Sequence, residues 1–244
     1  MIRTIRNWVT TFLWLFYFTI VRPSNCFVFK GQSYPYLYSY NNFTFLNERA
    51  VEVPIIRKIW HQNAGRKILE VGNVLSQYYP VEHDVLDKYE RVKGVINQDV
   101  VDFDPRKKYD LIICISTLEH VGWDEQPKDP EKVLRAINKL RELLDEQGEM
   151  IVTIPLGYNP RIDDLIRKGD IQFTELRCLK KISGKNRWIE TKWERVERST
   201  YNNHYPRAEG IVIGKILKNN TTDFIDLETE SNRRVYTILG SAPH

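Results

Sequence analysis

A doubly wound α/β domain on a mostly parallel sheet is the fold this sequence predicts, on three observations. Buried-strand patterns recur through the middle of the chain, helical or turn-like connections separate them, and two strands stop at residues able to touch a ligand. Lys67-Ile68-Leu69-Glu70-Val71-Gly72 reads as an apolar strand closed by an acid and a glycine. Tyr109 to Ile115 reads as a second, running into Ser116-Thr117-Leu118-Glu119-His120. Strand–crossover–strand alternation implies right-handed parallel connections, and polar groups at the carboxyl ends of such strands build a ligand crevice.

The elements follow in order. Arg3 and Arg6 precede an uncharged run from Trp8 to Val21, which Arg22 and Pro23 close. As a helix it spans about 21 Å, short of the roughly 30 Å hydrocarbon core of a bilayer. Three readings stand for it: a signal peptide without a small-residue cleavage site, an interfacial anchor in peripheral membrane contact through residues 8–21, or an element packed on the domain. Residues 27–46 are rich in Tyr, Phe and Asn and read as an extended arm or lid. Within them Asn42-Phe43-Thr44 matches a glycosylation acceptor, which matters only in a secreted chain. Residues 47–63 read as helix, with Pro54 either a kink or the first turn of a second piece.

Strands are expected at 67–71, 82–87, 92–98 and 109–115, with too few residues between 73 and 82 for a full helix. A helix over 129–145 follows, capped by Asp129, with Pro130 in its first turn, an apolar stripe of Val133, Ile137, Leu140 and Leu144, and Gly148 as its stop. Glu149 to Ile154 is a further buried strand. Residues 160–168 form a short helix that Gly169 ends. Segments 173–182 and 187–196 flank a Ser183-Gly184-Lys185-Asn186 turn as a hairpin, and Gly210 to Leu217 is the last apolar strand. The organisation is therefore an arm over 1–46, a domain over 47–218 and a polar tail over 219–244.

Composition narrows the function. A length of 244 residues fits one α/β domain with appendages. The net charge of +4 is spread among mixed charges, which suits a solvated surface and no nucleic-acid partner. Cys26, Cys114 and Cys178 are far apart and suggest a reducing compartment. The five scattered histidines, with no His-x-x-x-His or Cys-x-x-Cys, give no metal site.

Acceptor groups fall at successive strand ends. Glu70 and the Gly72-Asn73 turn close the first strand, and Asp87 closes the second, where a carboxylate can accept both hydroxyls of a ribose. Asn97-Gln98-Asp99-Val100 follows the third, and Ser116 and Thr117 the fourth. This set suits an adenosine ligand with a cationic tail better than a pyrophosphate, and no Gly-x-Gly-x-x-Gly supports a dinucleotide.

The region from Lys67 to Leu217 resembles the class I S-adenosylmethionine-dependent methyltransferases. Ile68-Leu69-Glu70-Val71-Gly72 is similar to the family's first motif, and Ser116-Thr117-Leu118-Glu119-His120-Val121-Gly122 to its fourth-strand motif. The resemblance implies a Rossmann-like sheet of about seven strands, with Gly210 to Leu217 the antiparallel one. It implies S-adenosyl-L-methionine as cofactor, held by Glu70, Gly72, Asn73, Asp87, Asp99, Val100, Ser116 and Thr117. His120 is the candidate general base, with Asp124 and Glu125 as sugar ligands, alternative bases or solvated loop acids. Tyr158 and Asn159 read as substrate contacts or turn residues, and His204 as a group reaching the pocket from the last loop. The basic, tryptophan-containing stretch from Arg177 to Arg198 reads as a hairpin packed on the domain or, functionally, as a surface for an anion. The acceptor is expected to be a small molecule or sugar hydroxyl, in glycan biosynthesis on the cytoplasmic side of a membrane. Val74 and Ser76 stand where the family usually carries glycines, so a non-catalytic binding or scaffold protein is the alternative. A nucleotide-sugar or NAD-dependent Rossmann enzyme is a second one.

Overall fold

The computed structural model describes residues 25–219. The apolar run 8–21 and all but the first residue of the tail lie outside the described residues. No helix among the described residues is long and apolar enough to cross a membrane.

The described part of the expected arm, from residue 25 on, is a packed element. β1 (Cys26–Phe29) and β2 (Gln32–Pro35) form an antiparallel hairpin whose Phe27 and Phe29 are buried against Val51, Ile55, Leu179 and Trp188. Alternation explains it, because the two phenylalanines share one face of the strand. Thr44 is buried; its hydroxyl donates to Leu37 O and accepts from Ser39 N, each at 2.7 Å. Asn42-Phe43-Thr44 thus serves as a turn that holds the hairpin's exit.

α1 (Arg49–Gln62) follows, with Pro54 inside it. Proline has no N–H, so the carbonyl of Ala50 lacks its helical donor. Leu37 N supplies one, at 2.9 Å. The proline that suggested a kink is where the chain leaving β2 docks on the helix.

The remaining strands make one sheet: β3 (Ile68–Val71), β4 (Asp84–Leu86), β5 (Val95–Ile96), β6 (Tyr109–Ile115), β7 (Leu144–Pro155), β8 (Glu175–Ser183), β9 (Arg187–Thr191) and β10 (Gly210–Leu217). Their spatial order is β5-β4-β3-β6-β7-β10-β8-β9. All pairs from β5 to β7 are parallel, and β10 runs antiparallel to both β7 and β8. This is the doubly wound, Rossmann-like α/β sheet, with Gly210–Leu217 antiparallel as expected and β9 added at the edge.

Burial alternates along the strands. Ile112, Cys114, Met150, Val152 and Val212 face α2 (Lys132–Leu143) and α3 (Pro160–Lys168). Leu111, Ile113 and Ile115 face the layer of α1 on the other side. Both faces are covered, so the strands read as continuous apolar runs.

Several boundaries differ from expectation. β4 and β5 are shorter than 82–87 and 92–98; after β4 the Asp87 carboxylate draws the chain back through Tyr89 N and Glu90 N, both at 2.8 Å. α2 starts at Lys132 and not at Asp129, whose carboxylate pairs with Arg135 and accepts from the Glu131 backbone N–H just before the helix. Leu144, expected in the helical stripe, already pairs with Tyr109 in β7. Gly148 is no helix stop: a Cβ there would stand 2.7 Å from Tyr109 O, so glycine admits the neighbouring backbone at a bulge. α3 and its stop at Gly169 fall where expected, and Gly169 is left-handed.

Candidate active site

A cavity of about 530 Å³ opens at the carboxyl ends of β3, β4, β5 and β6, the edge where open α/β sheets bind ligands. Gly72, Asn73, Asp87, Asp99, Val100, Ser116, Thr117 and His120 all line it. Glu70 does not, and its expected role as a ligand contact is corrected. Its carboxylate is fully buried, accepting from Val74 N and Leu75 N at 2.8 and 2.7 Å and facing His83 Nε2 at 2.9 Å. Glu70 ties down the turn that follows β3.

That turn does without the extra glycines. Gly72 has φ +84° and its N–H continues the sheet to Leu86 O at 2.8 Å. Val74 is buried with Leu75 on the α1 side, and Ser76 Oγ donates to Asn73 Oδ1. A single 3-10 turn at Leu75–Gln77 occupies the expected gap.

Asp87 sits at the end of β4 with Oδ1 held by its own loop, while Oδ2 approaches Asn73 N at 3.3 Å and borders the cavity. A carboxylate so fixed offers its second oxygen to a diol. Asp99 is not the open acceptor that was expected. Its Oδ2 binds Lys132 Nζ at 2.5 Å and Lys88 Nζ at 2.9 Å, and Glu125 bridges the same two ammonium groups. Burial opposes the charge on Asp99, but the two lysines hold its carboxyl below the usual range. Lys88 and Lys132, unremarkable in sequence, thus neutralise this end of the cavity. Glu125 belongs to this network and is not a solvated loop acid.

Ser116 ends β6 at φ +40°, a strained conformation for a side-chain-bearing residue. Its N–H donates to Thr153 O at 3.0 Å and its hydroxyl to Glu52 Oε1 at 2.6 Å, so the side chain is committed to α1. Thr117 Oγ1 likewise donates to Ile115 O at 3.0 Å. Arg49, which sequence reasoning missed, lines the cavity and donates from Nη1 to Ile115 O at 2.7 Å. The only available signal was an Arg and a Glu three apart in a helix whose neighbours are apolar. Glu52 is fully buried; desolvation pushes its carboxyl up to about 7, against the nearby Arg49 charge.

His120 lies beyond β6 with Nδ1 2.6 Å from Asp124 Oδ2, and Tyr158 donates its hydroxyl to the same oxygen at 2.7 Å. Partial burial would raise Asp124, but His120 and Tyr158 keep it ionised below its usual range. An ionised partner places the imidazole proton on Nδ1 and leaves Nε2 as the basic nitrogen. Nε2 stands 3.5 Å from Glu119 Oε1, whose buried carboxyl is raised well above normal, chiefly by desolvation. Tyr158 holds the site's acid. Asn159 is no substrate contact, being the buried cap of α3, accepting from Arg161 N and donating to Glu119 O, each at 2.9 Å.

His204 pairs with Glu209 away from the cavity. Trp188 is buried, with Nε1 donating to Asn186 Oδ1 at 2.9 Å, and Arg177 pairs with Glu175 and Glu190. The Arg177 to Arg198 stretch is therefore a packed hairpin. Among the described residues no group of acids, histidines and cysteines is placed to hold a metal ion.

No family model matches the chain, and no curated protein does. Among solved structures it is similar to the N-methyltransferase NodS of Bradyrhizobium japonicum, bound to S-adenosyl-L-homocysteine. That likeness has 13% identity and a TM-score of 0.40, over 69% of this chain and 85% of NodS. A methyltransferase of Clostridium acetobutylicum is similar at 12% identity and a TM-score of 0.37, covering 82% of this chain and 96% of its own. The sugar N-methyltransferase KedS8 of a Streptoalloteichus species is similar at 14% identity and 0.33, covering 68% and 87%.

Proposed function

We propose that this chain binds S-adenosyl-L-methionine in the strand-end cavity and transfers its methyl group to a small-molecule or sugar hydroxyl. The observation that carries this reading is the order of groups around one cavity: a backbone turn at Gly72-Asn73, a fixed carboxylate at Asp87, and a histidine–aspartate pair beyond the fourth parallel strand. The residues fit the cofactor. About 530 Å³ is within the range of small-molecule sites, Asp87 keeps an oxygen for a diol, and Leu86, Val100 and Val121 give the cavity apolar walls for a purine.

When bound, the sulfonium supplies an activated methyl group. The protein's part is to position and to move a proton. Positioning an acceptor oxygen beside that methyl group would supply much of the acceleration, and the ends of β3 to β6 would provide the frame. His120 Nε2 would accept the proton of an acceptor hydroxyl, while Asp124 would fix the ring through Nδ1 and stabilise the charge it acquires. Tyr158 keeps Asp124 aimed at the ring. The cytoplasmic side of a membrane, with residues 8–21 in peripheral contact, is the setting that brings cofactor and a glycan precursor together.

Calorimetric titration with S-adenosylmethionine and S-adenosylhomocysteine, with NAD as control, tests the assignment. Saturable binding of the first two alone is expected, and Asp87→Ala should weaken it at least tenfold. Unchanged affinity in that variant removes the cofactor assignment.

A further inference from the structure

A second cavity, of about 490 Å³, lies between α1 and the chain leaving β2. It shares no lining residue with the strand-end cavity. Its construction follows from the proline docking described above. Leu37 N satisfies the carbonyl that Pro54 frees, which lays residues 33–37 alongside the helix and leaves a groove between them. Arg57, Lys58 and His61 line one wall, three, four and seven residues after Pro54, the spacing that places side chains on one helical face. Tyr34 and Tyr36, two apart in extended chain, face it from the other side, and Tyr79 closes one end.

Among the described residues no carboxylate lines this groove, and the Arg57 and Lys58 charges form no ion pair. Neutral groups hold them instead. The Arg57 guanidinium lies 4.5 Å from the centre of the Tyr79 ring and its Nε 3.4 Å from His61 Nε2. Lys58 Nζ donates to Gln32 Oε1 and stands 5.3 Å from the Tyr34 ring centre. Some other cations pair with acids, as Lys30 does with Glu175 and Arg161 with Glu131, and others have neutral partners, as Lys128 has in the Trp123 ring. Cations ordered by neutral partners keep their charge for an incoming anion, and the ordering cost is already met.

We propose that this groove is a second binding site, for a small molecule that carries a phosphate on a ring, a nucleotide or a sugar phosphate. A guanidinium, an ammonium and an imidazole within one helical turn and a half are a phosphate-binding set. The Tyr34 and Tyr79 rings, each with a cation beside it, line the groove where a base or a pyranose would lie. The volume suits a ligand of that size, where a bare anion would need far less. The site stands without the methyl-transfer reading, and Arg49 in the first cavity is eight residues, about 12 Å, from Arg57 along the same helix.

The test is calorimetric titration of the full chain at 0.15 M salt, a level chosen to screen loose surface charge, with UDP, glucose 1-phosphate, uridine and inorganic phosphate. Saturable binding of UDP or glucose 1-phosphate is expected, with uridine and inorganic phosphate much weaker, and whichever binds better identifies the ring. An Arg57→Ala/Lys58→Ala variant, altered at two exposed positions, should lose at least tenfold in that affinity. Its S-adenosylhomocysteine affinity should match the parent, which separates this site from the first. Absence of saturable binding by both phosphorylated probes overturns the proposal. So does binding that survives the double substitution, or inorganic phosphate binding as tightly as either ring-bearing probe.

Discussion

Replacing Gly72 by alanine tests the turn on which the cofactor assignment depends. Gly72 has φ +84°, a conformation that costs a residue with a Cβ about 1–2 kcal/mol. The added Cβ would also overlap Thr117 Oγ1 and stand 2.9 Å from its Cγ2 and 3.1 Å from its Cβ. Thr117 must then rotate, which breaks its hydrogen bond to Ile115 O and costs about another 1 kcal/mol. A loss of about 2–3 kcal/mol is expected, or a fall in Tm of roughly 5–10 °C for a domain of this size. Urea denaturation followed by circular dichroism measures it. In the Gly72→Ala background, Thr117→Ala should cost little more, because the hydrogen bond it deletes is already broken there, whereas alone it should cost about 1 kcal/mol. S-adenosylhomocysteine affinity should fall at least tenfold in the single variant, since Gly72 and Thr117 border the same cavity. A Gly72→Ala protein within about 0.5 kcal/mol of the parent, the usual range for a neutral surface change, would refute the close-packed turn.

Three further outcomes follow from the site. Glu52 has its folded carboxyl raised from 4.5 to about 7, so the native state binds a proton that the unfolded chain has released between those values. Its contribution to stability is therefore complete below pH 4.5 and lost as pH rises to about 7, a span of about 3 kcal/mol. Glu52→Gln should accordingly gain on the parent as pH rises through that window, and a difference independent of pH in paired urea titrations contradicts it. Asn159→Ala removes the α3 cap and the tether to Glu119 O and should cost about 1–3 kcal/mol in thermal unfolding, with no loss counting against the cap. His120→Gln should lower methyl transfer at least a hundredfold, the lower end for general-base loss, while leaving S-adenosylhomocysteine affinity within about twofold. Equal losses in both would make His120 a structural residue.

The sheet and the helices were legible because both depend on short-range periodicity. Tyr109–Ile115 and Gly210–Leu217 are apolar runs buried on both faces, and Pro160 and Gly169 mark the ends of α3 through their own backbone limits. The same logic put polar residues at strand ends, and Asp87 and Ser116 do stand there, the Ser116 hydroxyl turned to Glu52. It could not say which way an acid at a strand end points. Glu70 turns inward because two backbone N–H groups lie within reach, and Asp99 is shared by lysines from positions 88 and 132.

What the sequence by itself determined is the alternation of strands and helices, the parallel sheet and the edge at which the strand-end cavity opens. Tertiary structure alone decided the rest. It brought Arg49 and Glu52 from α1 beneath the end of β6, joined His120 to Asp124 and Tyr158, and laid the hairpin's exit on the carbonyl freed by Pro54. The physical reason is range. Backbone preference and hydrophobic period act over a few residues, whereas a buried charge or an orphaned carbonyl must find its partner wherever packing delivers one.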